Sequence, residues 1–438
     1  MNGENSTFEK KHFLFVSLIG LSLDLAWQVK KEGHDVKYFI KHPDDGIGEG
    51  FFEIVQNWET EIAWADVIVF DDVEGQGTYA KRLRAQGKLV FGGTPYTDRL
   101  EDDRAFGQDE LKQRGIPILT YQTFTDFDEG MQYVRDNPGS YVIKPSAGSA
   151  ATIKTLLFVG QEEDGSDVIR MLETYKRVWG NKIKVFQLQK KVNGVEVAVG
   201  AFFNGKRFVM PINVNFEHKK LFPGELGPAT GEMGTSMFWC PPNKLFNSTL
   251  AKFESKLAEE GYVGYIDLNC IVNNNGIYPL EFTARIGYPT IHIQQEGLSI
   301  PSGELIWNLV NGVDADFKYK KGFQVGVILV VPPFPFEDKK LFEMSSKDIA
   351  VVFKKRAYGE GVHLGDLKVV NEEWIIAGYM GIAAVVVGAG QTMTQAKQQA
   401  YSRIQNILIP NMFYRTDISD RWTEDSDKLH NWGYLREA

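Results

Sequence analysis

Three stretches of this 438-residue chain combine residue types that could do chemistry. The first is Tyr141-Val142-Ile143-Lys144, which continues as Pro145-Ser146-Ala147-Gly148-Ser149-Ala150. A lysine ending an apolar strand before a loop of small residues suits a polyphosphate. Small side chains let backbone N–H groups approach oxygens, and the ammonium neutralises charge. It is not a P-loop, because no Gly-Lys-Ser/Thr opens a following helix. Taken alone, such a segment is more often a surface lysine before a flexible turn.

The second element is a pair of acids. Asp267 lies in one apolar run and Glu281 in the next, on one face of what reads as a hairpin joined by residues 273–276. Two carboxylates joined by substrate phosphates is the usual way of holding magnesium, which keeps waters and seldom gets an all-protein cage. Two solvated acids on an exposed sheet face are about as frequent a source of this pattern.

The third is Glu217-His218-Lys219-Lys220, followed by Gly224 and then Gly227-Pro228-Ala229-Thr230-Gly231-Glu232-Met233-Gly234. Four glycines within eleven residues imply a loop whose backbone approaches something closely. A mobile linker is the competing explanation, which Pro228 and Met233 weaken. His218 alone says little, because many histidines are structural.

These segments need elements to hold them. Residues 12–95 alternate strands (12–18, 35–40, 66–70, 88–91) with helical stretches such as 20–32. That alternation predicts a parallel sheet flanked by helices, with ligands at the carboxyl ends of its strands, near 17–22 and 71–77. Residues 99–136 read as mainly helical, broken at Gly115-Ile116-Pro117. From Ser140 the pattern is strand-rich, with a hairpin turn at Asn204-Gly205. A helix is predicted over 248–260, strands over 262–272 and 277–282, and a third unit from 322 with strands at 324–331 and 374–387 and a helix at 394–407.

Composition narrows the class. The chain is 43% hydrophobic and 24% charged, which supplies a sizeable core and argues against a disordered or fibrous protein. A net charge of −9, from 48 basic and 57 acidic residues, gives no sign of nucleic-acid binding. Cys240 and Cys270 make neither a disulfide framework nor a zinc set, so a cytoplasmic location is expected. Lys10-Lys11 before an apolar run imitates a signal peptide, but Asp24 interrupts it. A buried first strand is the better reading, and the run is too short for a membrane span of roughly 20 residues.

In their order, the motifs resemble those of ATP-grasp ligases, most closely the glycinamide ribonucleotide synthetase (phosphoribosylamine–glycine ligase) family. The similarity runs from about residue 12 to 425. Arg104-Ala105-Phe106 and Arg114-Gly115-Ile116-Pro117 look like the family's approach to its ATP-grasp domain. The Glu217 and Gly227–Gly234 blocks resemble its most diagnostic centre. Glu281-Phe282-Thr283-Ala284-Arg285-Ile286-Gly287-Tyr288-Pro289 resembles its metal-binding strand, and Met412-Phe413-Tyr414-Arg415-Thr416-Asp417-Ile418 its C-terminal signature.

The resemblance implies an α/β and α+β protein. Its units would be an N-terminal parallel-sheet α/β domain (1–98), an ATP-grasp domain (99–321) with a lid at about 118–190, a C-terminal mixed-sheet domain (322–425) and a tail (426–438). It also implies a reaction: ATP phosphorylates a carboxylate, glycine by resemblance, and an amine displaces phosphate from the acyl phosphate, leaving ADP. By position, Arg104, Lys144, Lys154, Gln189 and Glu196 would bind ATP, and Asp267, Glu281 and Thr283 would hold Mg2+, with Mn2+ as an alternative. Arg285, Lys219 and His218 would be catalytic, while Glu217, Thr230, Gly231, Gly20 and Ser22 would border the substrates. Partners would be small molecules only, without membrane or nucleic acid, in a monomer or homodimer.

The departures are specific. Where the family has a Gly-Gly-Arg-Glu-His-type turn for a sugar phosphate, this chain has Leu18-Ile19-Gly20-Leu21-Ser22-Leu23-Asp24, without the arginine or histidine. A phosphate could rest on the helix N-terminus there, but Asp24 would repel it. Thr283 replaces a metal-site asparagine, Gln189-Lys190 the usual hinge acids, and Ala377-Gly378-Tyr379 a Gly-Gly-Arg turn. A different amine acceptor, a kinase that releases a phosphorylated product, and a non-catalytic nucleotide-binding protein are the competing functions.

Overall fold

The apolar runs near the N-terminus are buried on both faces, as strands covered by helices on either side must be. In the computed structural model, which describes residues 9–145, 156–354 and 360–436, they form a five-stranded parallel sheet. Its strands are β1 (His12–Ser17), β2 (Asp35–Ile40), β3 (Glu53–Ile54), β4 (Val67–Phe70) and β5 (Leu89–Phe91), in the order β3-β2-β1-β4-β5. The chain leaves β1 toward β2 on one side and reaches β4 on the other, so a switch point lies between the ends of β1 and β4. Helix α1 (Leu23–Lys31) buries Leu23, Asp24, Leu25, Ala26 and Val29, and α2 (Gln76–Ala85) follows β4. The expected helix start at residue 20 falls back to Leu23, because Gly20 takes a φ of 98° in the preceding turn.

A Thr94–Thr97 capping box with Pro95 starts α3 (Pro95–Asp102), and Asp103 caps α4 (Arg104–Gln113). Residues 99–136 are mainly helical, as expected, with a break after α4 at residues 114–120. They include β6 (Tyr121–Phe124) before α5 (Phe127–Asp136), and β6 is fixed by pairing with a strand more than sixty residues later. With β7 (Tyr141–Pro145), β8 (Phe158–Val159) and β9 (Phe186–Lys190), β6 makes a small antiparallel sheet in the order β6-β9-β7-β8, backed by α5 and α6 (Ser166–Trp179). Its core includes Ile143, Leu172, Phe186 and Leu188. The small-residue loop after Pro145, and Lys154 with it, lie outside the described residues.

The largest sheet has eight strands. It is built from β10 (Val195–Asn204), β11 (Phe208–Glu217), β14 (Gly234–Cys240), β15 (Val263–Asn273) and β16 (Gly276–Thr283), with the β12 (Lys220–Phe222) and β13 (Leu226–Ala229) hairpin between β11 and β14. Helices α7 (Lys244–Ser248), α8 (Glu254–Glu260), α9 (Thr290–Gly297) and α10 (Ser302–Val310) flank it. The third unit adds β17 (Phe323–Val330), α11 (Lys339–Ser345), β18 (Val352–Phe353), β19 (Val362–Leu364), β20 (Leu367–Val370), β21 (Glu373–Ile376), β22 (Ile382–Gly390), α12 (Met393–Ile404), β23 (Ile407–Leu408) and α13 (Trp422–Asn431).

Of these later strands, β17, β22 and β19 continue the large sheet. β17 pairs with β14, and the order β16-β15-β10-β11-β14-β17-β22-β19 runs unbroken across residue 322. Every described strand pair beyond that residue is antiparallel. The reason is edge burial: β14 would otherwise leave a row of backbone groups unpaired. The run expected as a strand over 374–387 is two strands, parted by a turn with Gly378 and Gly381 at positive φ.

Candidate active site

Four adjacent strands, β16-β15-β10-β11, place polar side chains on one face of the large sheet. In the β15–β16 register, Asp267 faces Thr283 and Asn269 faces Glu281. Side chains two apart on a strand share a face, so Asp267 and Glu281 are diagonal neighbours on the same side. Asn269, two residues after Asp267, was within reach of the same alternation argument but is absent from the motifs read in the sequence.

Lys219 gathers the acids. Its ammonium lies 3.0 Å from Glu196, 3.1 Å from Glu217 and 3.1 Å from Glu281. Burial opposes its charge, but the three carboxylates outweigh burial and raise its pKa well above the ordinary lysine value. Asn269 Nδ2 donates to Glu196 at 3.2 Å and to Glu217 at 3.0 Å. Its Oδ1 is buried and has no hydrogen-bond partner among the described residues, and the same holds for Asp267 Oδ1. Burial, together with Glu217 and Glu101, drives the Asp267 carboxyl well above the usual range.

Lys144, at the end of β7, has its pKa pushed down to about 7, first by burial and then by the charges of Arg104 and Lys219, against the pull of Glu281 and Glu196. Arg104 opens α4. Gln189 is buried on β9, paired across to Tyr121 and Val142. These groups therefore bring the small sheet and the large one to one polar site.

Arg285, just beyond β16, reaches Asp72 at 3.3 Å and Glu101 at 3.2 Å, and donates to the Ile286 carbonyl at 3.0 Å. Neither Asp72 nor Glu101 stands out in the sequence, since each sits in a short run of acids (Asp71-Asp72 and Glu101-Asp102-Asp103) of the kind common on a solvated surface. On the same side of the parallel sheet, Ser22 donates to Asp71 through its N–H at 2.9 Å and its hydroxyl at 2.7 Å. Burial, with Asp72 nearby, pushes the Asp71 carboxyl up to about 7. A cavity of about 520 Å³ opens at the ends of β1 and β4, lined by Ser17, Phe39, Lys41, Trp58, Gln76 and Tyr79 among others. Gln76 joins it to the site by accepting the Asp72 N–H at 2.8 Å.

The Glu217–Gly234 block is anchored from behind. His218 is buried; its Nε2 accepts from the Ser419 N–H at 3.1 Å, which leaves Nδ1 to donate to Glu225 at 3.3 Å. Burial lowers its pKa. Thr230 donates to the Lys219 carbonyl from both its N–H and its hydroxyl, each at 2.8 Å. Gly231 follows it in the turn before β14. Arg415, fully buried, binds the Lys220 carbonyl at 2.9 Å, Glu225 at 2.8 Å and Asp417 at 2.7 Å.

The donor set fits a hard divalent cation. Glu281 offers a carboxylate beside two buried oxygens, on Asp267 and Asn269, that no described protein group satisfies. Among the described residues, no group of three or more His, Cys, Asp or Glu is arranged to hold a metal alone. Magnesium is typically held by one or two carboxylates, with phosphates and waters completing its shell.

Comparison with known proteins accords with this geometry. Residues 102–291 match the family "Phosphoribosylglycinamide synthetase, ATP-grasp (A) domain". That stretch of the chain is similar to the ATP-grasp domain of this family.

Phosphoribosylamine–glycine ligase of Neisseria meningitidis is 27% identical over 353 residues, covering 77% of this chain and 80% of its own. The enzyme of that name from Halalkalibacterium halodurans is 24% identical and covers 78% of each chain. Among solved structures, phosphoribosylamine–glycine ligase from Thermotoga maritima has a TM-score of 0.69 at 20% identity, covering 93% of this chain and 100% of its own. Biotin carboxylase from Campylobacter jejuni, at 13% identity and a TM-score of 0.64, covers 98% of each chain and shares the fold. The ATP-grasp match takes in Lys144, Lys219, Asp267, Asn269 and Glu281 together. Among the described residues no helix is long and apolar enough to cross a membrane.

Proposed function

We propose that this protein is an ATP-grasp enzyme, an ADP-forming carboxylate–amine ligase resembling phosphoribosylamine–glycine ligase, which activates glycine or a similarly small carboxylate as its acyl phosphate. The observation that carries the reading is the polar face of β16-β15-β10-β11, with Lys144 and Lys219 beside Glu281 and the unsatisfied oxygens of Asp267 and Asn269. Lys144 and Arg104 are placed to neutralise nucleotide phosphates. Glu281, Asp267 and Asn269 would hold Mg2+, or Mn2+, which would screen the phosphate charge during transfer. Arg285, fixed by Asp72 and Glu101, is oriented to meet the negative charge that develops on the transferred group. No residue need act as a covalent nucleophile.

One observation favours a changed acceptor. In the first turn of α1, Asp24 is sealed 2.7 Å from His363, and the neighbouring strand ends carry Asp71, Asp72 and Glu74. Among the described residues lining the adjacent cavity, Lys41 is the one basic side chain. An unphosphorylated amine suits this lining better than a sugar phosphate, which calls for several donors or cations.

The deciding experiment is phosphate release with Mg–ATP and glycine, with and without fresh phosphoribosylamine, and mass spectrometry of the products. Glycinamide ribonucleotide plus ADP would identify both substrates. Glycine-dependent trapping of an acyl phosphate by hydroxylamine, without that product, would keep the ligase and move the search to other amines. A phosphorylated small molecule would replace the ligase by a kinase. No nucleotide effect at all, including on thermal stability, would leave a non-catalytic protein.

A further inference from the structure

The position where a metal–nucleotide complex would approach the acids is held by a cation of the chain itself. Glu196 on β10, Glu217 on β11 and Glu281 on β16 each contact the Lys219 ammonium, at 3.0, 3.1 and 3.1 Å. An ammonium has three N–H donors, so these contacts use its full capacity. Asn269 on the intervening strand braces the group by donating to Glu196 and Glu217, which turns its unpartnered Oδ1 away from them. The main chain at Lys219 is fixed by Thr230, which donates twice to its carbonyl, whereas the side chain stays 30% exposed. The backbone is pinned, while part of the side chain still reaches solvent.

A magnesium ion on Glu281 would share that carboxylate with the ammonium, which contacts its Oε1 at 3.1 Å. Three positive charges in that space repel strongly unless one finds another anion. The nucleotide brings that anion. We propose that Lys219 is a resident counter-cation, which holds the three carboxylates together until the metal–nucleotide complex arrives and is then displaced onto phosphate oxygens. The site thereby excludes free divalent metal and admits it only with nucleotide. This rests on the reading of the acidic face as a metal–nucleotide site, and it assigns Lys219 a positioning and gating role there.

Mn2+ binding followed by electron paramagnetic resonance tests it with the full chain. The wild type should bind Mn2+ together with a non-hydrolysable ATP analogue, and negligible Mn2+ without it. Lys219→Met should gain nucleotide-free Mn2+ binding at least tenfold tighter than wild type, and adding Glu281→Gln should abolish the gain. Should Lys219→Met fail to fold, Lys219→Gln combined with Glu217→Gln leaves the net charge unchanged and should show the same gain. Mn2+ binding with nucleotide in the wild type but no gain in the variants would overturn the counter-cation alone, as would Glu281-dependent binding of free Mn2+ by the wild type. Absence of any Mn2+–nucleotide binding by the wild type would overturn the metal–nucleotide reading, and the displacement with it.

Discussion

Asp24 and His363 stand 339 positions apart in the chain and 2.7 Å apart in the structure. The carboxylate of α1 meets the imidazole of β19, and the Leu364 N–H donates to its other oxygen at 2.9 Å. Their side chains are 1% and 4% exposed, and Glu296 approaches the far ring nitrogen at 3.4 Å. The parallel-sheet unit is thus joined to the last strands by a buried ion pair. An unpaired charge there would be expensive to bury, which ties the fit of these surfaces to both residues.

The first prediction follows from that pair. Although burial works against it, Asp24 and Glu296 push the His363 pKa up to about 9, while His363 holds Asp24 below the usual carboxylate range. A raised histidine stabilises fully below its unfolded value of about 6.5, and the contribution fades as pH rises through about 9. Asp24 has the opposite sign, contributing above about 4 and losing its contribution in acid. Urea midpoints should fall between pH 6.5 and 9, and His363→Gln should flatten that decline. At pH 7 the substitution should cost about 3–5 kcal/mol. An unchanged slope in the variant would dissociate the pH dependence from this pair.

Lys144 gives a second. With its pKa near 7 it is mostly neutral at pH 8, and phosphate oxygens beside it favour the charged form. Nucleotide binding at pH 8 should therefore take up close to one proton per site. Calorimetry in buffers of different ionisation enthalpy measures this directly. Lys144→Met should abolish the uptake, and wild-type binding without proton uptake would contradict the placement of Lys144 against phosphate.

Much of this architecture is legible in the amino-acid sequence, and the rest is hidden for physical reasons. Period-two alternation puts Asp267 and Glu281 on one face, and apolar runs parted by helices predict the parallel sheet. The same alternation could flag Asn269, but an asparagine among apolar residues has no charge to draw notice. The ring around Lys219 joins three strands, and only register brings Glu196 to it. The C-terminal segment is harder still. Trp422 packs edge-on against Phe216, Phe238 and Phe323, with ring centroids 5.1–5.7 Å apart. Leu429 is fully buried in the core of the large sheet. Nothing in a polar stretch dotted with aromatics distinguishes that docking from a loose end.

Glu281 supplies a third prediction, chosen to separate ligand from scaffold. Its side chain is 51% exposed, so Glu281→Ala leaves no core cavity and should change stability by no more than about 0.5 kcal/mol. Phosphate release should fall at least about 100-fold, as expected when a charge-stabilising group is lost. The pairing of intact folding with lost turnover, read from one preparation, is what a metal-binding carboxylate requires. A collapse of the unfolding midpoint would instead make Glu281 structural.

Arg415 is the reverse case, fully buried and remote from phosphate chemistry. It ties the Lys220 carbonyl to Glu225 and Asp417, and the adjoining Arg421 binds the Glu217 carbonyl. Both flanks of Lys219 are thereby held from the C-terminal segment. Arg415→Met leaves the Lys220 carbonyl and the partly exposed Glu225 and Asp417 without this partner and should cost about 1–3 kcal/mol, read as a lower urea midpoint. Below that midpoint the folded variant should also release phosphate more slowly, because Glu217 and Lys219 lose their fixed backbone. If stability drops while turnover of the folded fraction is unchanged, the Arg415 network holds the fold together without setting the geometry of the site.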